Sequence, residues 1–458
     1  MTASSAFLNV RKMRTMRIPD RSIGGTAAFA AALNSLTSAG GQILIPPGDI
    51  IIDPSAFSER DNVELVGHGA GEGGSRILLA SAGTMLTFSD SQWFKARGIT
   101  FQLNGTSQAI AGTYGVRMDS GSGNAIFDSC HFRGFAQDGL QLVGTSGTPL
   151  SGHTIDKCYF LGNGVRQLYG DYCNDYQFLN SQIGRLTGIA RATYGAYLNQ
   201  CSAGTYSNMK HWENGIGCAN VSGNFSRIIG SRFEENQTNG YFQNGGSYTK
   251  FIGCDLYANS AASSGTHDGA YFVNADDLTI DGCQAPIFNS TRHRNDINVD
   301  AGCDRLNWGD NLLANFNTSF GPLRVDGTSV GTFYGDNSFS WATNGTVAPG
   351  AWFIGVNGQK AVEADTYALA GRRAVVVRMY CAATAAPVGA QTFTYTLYVN
   401  GSATGMQVVI TGAATAGEAA VTTPAILVAP TDVLSVRLDV SGTATTTQHR
   451  VLLVPAEY

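Results

Sequence analysis

Along the middle of the chain one unit recurs: an apolar residue, two residues, a Cys or Ser, one residue, and a second apolar residue. It reads Phe127–Cys130–Phe132, Ile155–Cys158–Phe160, Phe178–Ser181–Ile183, Ile228–Ser231–Phe233 and Phe251–Cys254–Leu256, with weaker copies at Leu198–Cys201–Ala203 and Ile280–Cys283–Ala285. The central positions lie 20 to 30 residues apart. A period of that length marks a solenoid, in which each turn buries its apolar face only against its neighbours. Apolar residues alternate at period two in Gly139-Leu140-Gln141-Leu142 and Leu278-Thr279-Ile280, and no segment here keeps a 3.6-residue period. The turns are therefore expected to be short strands, which together describe a parallel β-helix.

Asparagines give the register a second support. Asn163, Asn236 and Asn259 each follow a central Cys or Ser by five residues, and Asn214 fits the same ladder. Asn tolerates the left-handed backbone of a sharp corner, and its amide can bond the next Asn in the stack. Cys130, Cys158, Cys201, Cys254 and Cys283 then occupy inward positions, where a small polarisable side chain fills a narrow core.

The two ends of the repeat region differ from it. Phe29, Leu33 and Leu36 fall at helical spacing, Thr26 can cap the helix, and Gly40-Gly41 ends it before the strand leading to Pro46-Pro47-Gly48. Such a helix covers apolar core and unpaired edges that an open solenoid end exposes. After about Gly335 the Asn ladder stops and alternating strands appear at 374–380, 392–399, 406–410, 433–440 and 451–454, with Asn400-Gly401 as a hairpin turn. These predict a small antiparallel β-sandwich, jelly-roll-like. The expected division is an N-terminal segment at 1–20, the β-helix at 21–335 and the sandwich at 336–458. The roles open to the sandwich are a trimer clamp, a carbohydrate-binding module or a receptor tip.

Composition narrows the partners. The chain of 458 residues is 14% charged with 57 Gly and a net charge of −5, against about 25% charge in ordinary domains. Nucleic acid is an unfavoured partner. Met1–Met16 lacks the apolar run of a secretory signal, and no stretch approaches a membrane-spanning helix. Nine cysteines without a CxxC pair argue against a zinc site and a disulfide framework. The expectation is synthesis in a reducing host cytoplasm and release by lysis, with no membrane insertion.

The helix at Thr26-Ala27-Ala28, the Gly40-Gly41 break and the strand closed by Pro46-Pro47-Gly48 resemble the entry motif of the pectate-lyase-like superfamily, in the form found in bacteriophage tailspikes. The resemblance covers about residues 18–310. It departs from the motif where Gly24-Gly25 stand in place of the usual acidic residues. It implies a right-handed parallel β-helix, a homotrimer and a place in the virion tail. It is poor at fixing activity, because the motif opens lyases, hydrolases and non-catalytic spikes alike.

Aligning the coils on Asn214, Asn236 and Asn259 sets Trp212, Glu234 and Tyr257 in one outward column and Glu213, Glu235 and Ala258 in the next. Aromatic faces suit pyranose C–H surfaces, so Trp212 and Tyr257 are candidate substrate contacts. Stacked carboxylates can divide acid and base roles, so Glu213, Glu234 and Glu235 are the catalytic candidates. Asp128 and Asp156, each two residues before a central cysteine and with His131 and His153 near in sequence, are the second choice. Against these readings, solvated glutamates at a corner and aromatics that merely brace coils are the commoner finding. Asp276-Asp277 with Asp281 lacks the basic partners of a lyase site, so no metal or cofactor is expected. His211 is expected in the core, and Gly67 to Gly74 is a loop without the lysine of a phosphate loop.

The leading expectation is a tailspike or tail fibre protein that binds a bacterial surface polysaccharide, with depolymerisation by an endo-glycosidase left open. A hydrolase is favoured over a lyase. The alternatives are a non-enzymatic receptor-binding or structural virion protein, and an extracellular polysaccharide lyase. Attachment to the virion is expected through the basic run Arg11, Lys12, Arg14 and Arg17 or through an adaptor protein.

Overall fold

The structure, a computed structural model, describes residues 15–17, 25–36, 40–59, 61–286 and 293–300, and from 302 to 456 chiefly strand residues and the turns beside them. Arg11, Lys12 and Arg14, expected to serve attachment, lie outside the described residues. The chain forms two compact units, Met1–Ser226 and Arg227–Tyr458. Both contain coils of right-handed parallel β-helix.

In the first unit each coil contributes one strand to each of three parallel sheets. One coil is Ile126–Asp128, His131–Arg133 and Asp138–Val143; the next is Thr154–Asp156, Tyr159–Leu161 and Arg166–Asp171. Inward residues stack from coil to coil, Phe127 on Ile155 and Phe178 in the first sheet, Phe101 on Phe132 and Phe160 in the second. The Phe132 and Phe160 rings stack nearly parallel with centres 4.8 Å apart, the coil repeat of a parallel sheet. The helix Gly25–Ser35 buries Phe29 and Leu33 on the first coil, with Phe29 edge-on to Phe57. Thr26 was expected as its N-cap; its hydroxyl instead accepts the Asp53 N–H at 2.7 Å and ties the helix to the coil.

The corners depart from the sequence reading in two ways. The stacked asparagines are not the left-handed residues. The residue before each takes that conformation, Glu213 (φ 52°), Glu235 (φ 51°) and Ala258 (φ 44°), and so aims Asn214, Asn236 and Asn259 inward, where they are buried. The amide bond along the stack is present between Asn236 and Asn259 at 2.8 Å. The second departure is the weak repeat Leu198–Cys201–Ala203, which belongs to a different corner. The rung that pairs with Phe178–Ser181–Ile183 is Tyr206–Met209–His211. Cys201 is buried, but beside Cys173. All nine cysteines are free and buried.

In the second unit the parallel strands run to Phe333–Gly335. The strands from Phe339–Ala342 onward pair antiparallel. Eight principal strands follow in chain order: Phe339–Ala342, Gly350–Gly355, Ala374–Ala383, Thr392–Val399, Ser402–Thr411, Ala416–Ala420, Val433–Val440 and His449–Ala456. One sheet takes them in the order first, eighth, third, sixth, and the other second, seventh, fourth, fifth. That is the jelly-roll order. Met379, Tyr395, Val408, Leu438 and Leu453 from both sheets share one core.

His153 in the first unit supplies a test of this packing. It is fully buried, and its Nδ1 accepts the Ala125 N–H at 3.2 Å, which requires the neutral ring. Burial pushes its pKa down to about 4. Between pH 6.5 and 4 the unfolded chain therefore binds a proton that the native state refuses, so stability is full above pH 6.5 and falls with pH through that window. The loss from this one residue should reach about 2–3 kcal/mol by pH 4.5. Melting curves at pH 7.5 and 4.5 should show the drop, and His153→Gln should flatten it; equal slopes in both proteins would refute the account.

Candidate functional site

Outward side chains of the second sheet form two columns in the first unit. One carries Thr100, His131, Tyr159, Gln182 and Lys210; the other carries Gln102, Arg133, Leu161, Gly184 and Trp212. Parity alone sets this face: Phe132, Phe160, Ile183 and His211 between them point inward and are buried. His131 packs on the Tyr159 ring at 4.8 Å, and the Gln182 amide reaches the Tyr159 hydroxyl at 3.4 Å. Burial, and then the Arg133 cation, hold the His131 imidazole below its usual range. Arg133 is half-buried and makes no ion pair among the described residues.

Trp212 owes its pose to a glycine. Gly184 is its partner on the neighbouring strand, and a Cβ built on Gly184 would overlap the indole. The ring therefore lies over bare backbone, partly exposed, with the Lys210 ammonium 5.3 Å from its centre. A flat ring with its outer face toward solvent is what a pyranose stacks on. Glu213 follows at the left-handed corner, and two guanidiniums approach the same oxygen of its carboxylate, Arg191 at 3.3 Å and Arg185 at 3.6 Å. Arg185 is itself held by donating from Nε to the Ile189 carbonyl at 2.6 Å.

Glu234, Glu235 and Tyr257 belong to the second unit. Glu234 and Tyr257 face each other on neighbouring strands. Arg232 pairs with Glu234 and also stacks over the Tyr257 ring at 4.3 Å. Glu235 occupies the next corner, its N–H donating to the Tyr257 carbonyl at 3.0 Å. An acid, a ring and a cation thus meet on that face.

Asp128 and Asp156 are in register on the first sheet of the first unit. Lys157 pairs with Asp156 at 3.2 Å, the Asn180 amide donates to it at 2.8 Å, and Ser129 donates to Asp128 at 2.9 Å. The Lys157 pKa is raised by its hydrogen bond to Asp156, then by the Asp156 and Asp128 charges. His131 lies on the next sheet and His153 in the core, so neither joins this pair.

Two features escaped the sequence reading. Arg185 and Arg191 come to the Trp212 face from one loop of the neighbouring coil, and Arg133 stands three rungs away in the Trp212 column. On the third sheet, Tyr169 and Tyr197 are register partners with rings 6.1 Å apart, Tyr194 lies 4.9 Å from Tyr197, and Arg166 stacks 3.6 Å over Tyr169 while gripping buried Asp138. The signal was present at a spacing of 28 residues, where Arg166-Gln-Leu-Tyr169 aligns with Tyr194-Gly-Ala-Tyr197. Burial, then Asp171, pushes the Tyr169 hydroxyl up to about 12, so that phenol stays protonated.

No protein-family model matches the chain, and no curated protein matches it by sequence. Solved structures resemble it in fold. The enzymatically active domain of tailspike protein 2 of bacteriophage CBA120 aligns at 13% identity over 98% of this chain and 77% of its own, with a TM-score of 0.55. The A-module of the Azotobacter vinelandii mannuronan C-5 epimerase AlgE4 aligns at 15% identity over 69% of this chain and 99% of its own, with a TM-score of 0.50. The protein from ORF18 of Geobacillus virus E2 aligns at 16% identity over 64% of this chain and 59% of its own, with a TM-score of 0.49. The chain thus spans less than two thirds of the last. At these identities the likeness is one of fold, and the parallel β-helix expected from the repeats is the fold observed.

The Gly184–Trp212 contact can be checked directly. Gly184→Ala should leave melting within about 1 kcal/mol of wild type, since the indole can swing aside. The emission attributable to Trp212, taken as the difference from a Trp212→Phe protein, should shift to the red. An unchanged difference spectrum would show that the ring does not rest on Gly184.

Proposed function

We propose that this chain is the body of a tailspike-type protein that binds a bacterial surface polysaccharide along its coils. The observation that carries the reading is Trp212, laid flat on Gly184 and followed by Glu213, on which Arg185 and Arg191 converge. A rigid aromatic plane with hydrogen-bonding groups at its edge offers what a sugar ring presents in complement, an apolar face and a polar girdle. The tailspike named among the structural neighbours supports the placement. The assembly proposed is a homotrimer on the virion tail, joined through the N-terminal segment or an adaptor protein, made in the host cytoplasm and released by lysis.

A second reading adds chemistry. Glu234 opposite Tyr257, with Glu235 at the following corner, supports cleavage of the bound glycan by hydrolysis. One carboxyl would protonate the leaving oxygen, and the other would act as nucleophile or as base for water. Glu213 remains a third carboxylate candidate in the first unit.

Affinity electrophoresis on host polysaccharide separates binding from cleavage when product sizing accompanies it. Trp212→Ala should weaken binding by about 1–3 kcal/mol, the range for loss of one aromatic stacking partner, with melting unchanged. If cleavage occurs, Glu235→Gln should keep binding and lower turnover by about 100-fold or more. New ultraviolet absorbance in the products would indicate a lyase instead. Binding unaffected by Trp212→Ala would remove this face from the function.

A further inference from the structure

We infer that the polysaccharide read by the Trp212 face is anionic, its acidic groups held by Arg133, Arg185 and Arg191. The inference rests on the sugar-binding reading of Trp212 and deepens it. The chain as a whole carries a net charge of −5, so a cationic patch runs against its average. Three guanidiniums on this part of the first unit are met by one carboxylate, Glu213, which leaves a surplus of two positive charges. Arg185 and Arg191 share a single oxygen of that carboxylate, at 3.6 and 3.3 Å. A guanidinium carries five N–H donors in a planar fork, so most of theirs remain available for a ligand. Arg133 makes no ion pair among the described residues, and its uncompensated charge contributes to the lowered pKa of His131.

Position adds to charge. Arg133 and Trp212 occupy one outward column, three rungs apart, or about 14 Å at the usual strand spacing. Only Leu161 and Gly184 intervene, so no long polar side chain blocks an extended glycan lying along the column. Arg185 and Arg191 are partly exposed and held by Glu213 beside the indole. A sugar stacked on Trp212 would thus bring one ring substituent to Arg185 and Arg191, and a further unit of the same chain to Arg133. Planar carboxylates match that fork bidentately. The hydroxyl-rich rim of a neutral sugar would leave the surplus charge unanswered.

The test compares polygalacturonate, its fully methyl-esterified form and neutral dextran by affinity electrophoresis at low and at physiological salt. Polygalacturonate should retard the wild-type protein at least tenfold more strongly than the ester, and the difference should shrink as salt rises. Arg133→Gln, and separately Arg185→Gln with Arg191→Gln, should each remove about tenfold of the preference for the acid. Lys95→Gln, an exposed cation on the first sheet, should change nothing and controls for net charge. Equal retardation by acid and ester, or a preference that survives both arginine sets, would overturn the inference. Retention on dextran that depends on Trp212 without any preference for the acid would overturn it too, while leaving the sugar-binding reading intact. No retention on any of the three polymers would count against both.

Discussion

Each face of the first unit is set by a single repeated event: one left-handed residue between the first and second strands of a coil. Ser129, Lys157, Asn180 and Asn208 take φ values near 50°, and the residue after each turns inward as Cys130, Cys158, Ser181 or Met209. A left-handed L-residue costs roughly 1–2 kcal/mol. The backbone ladder from coil to coil offsets that cost, for example the Ser129 N–H to the Asp156 carbonyl at 2.9 Å. Once the corner is fixed, parity dictates the rest of the strand. His131 and Arg133 must face out and Phe132 must face in, and a slip of one residue would exchange them. The site and the core are therefore two sides of one constraint.

Under Trp212 the core changes character. Where Phe132, Phe160 and Ile183 stack in succession, the next inward residue is His211, buried and hydrogen-bonded to the Tyr206 hydroxyl. Burial pushes its pKa down to about 3, so the ring beneath the site stays neutral and adds no charge to the face above. Its sign of pH dependence matches that of His153, because both are held neutral in the fold while the unfolded chain protonates them. The positive charge at the surface thus comes from the guanidiniums and the Lys210 ammonium, not from this ring.

How much of this was legible follows from what each feature writes into the sequence. The Phe–Cys–Phe repeats were visible because core packing demands one residue type at one offset. Tyr206–Met209–His211 was missed because tyrosine, methionine and histidine fill that slot without matching the pattern, whereas Leu198–Cys201–Ala203 matches it at another corner. The asparagine ladder was found, but its backbone role was assigned one residue late: the amides face the core, and the strain sits on Glu213, Glu235 and Ala258. Trp212 was identified by residue type. What holds it flat was hidden, since a glycine partner leaves no side chain to align. Arg185 and Arg191 meet on Glu213 because coils of unequal length are stacked, and linear spacing does not show that convergence.

Glu213 illustrates why residue type alone does not assign a role. As a carboxylate beside an aromatic ring it qualifies as a catalytic candidate. In the fold it stands at a left-handed corner with two guanidiniums converging on one oxygen. Two like charges brought that close repel unless an anion lies between them. The carboxylate is therefore what allows Arg185 and Arg191 to stand together next to Trp212. A group engaged in that way concentrates positive charge beside Trp212. The same logic separates the two faces with aromatic ladders. On the third sheet Arg166 pairs bidentately with buried Asp138 and the Tyr169 hydroxyl donates to Asp171, so these groups are engaged within the fold. Among the described residues of the first unit, the second sheet brings together a partly exposed ring and two guanidiniums that share one carboxylate.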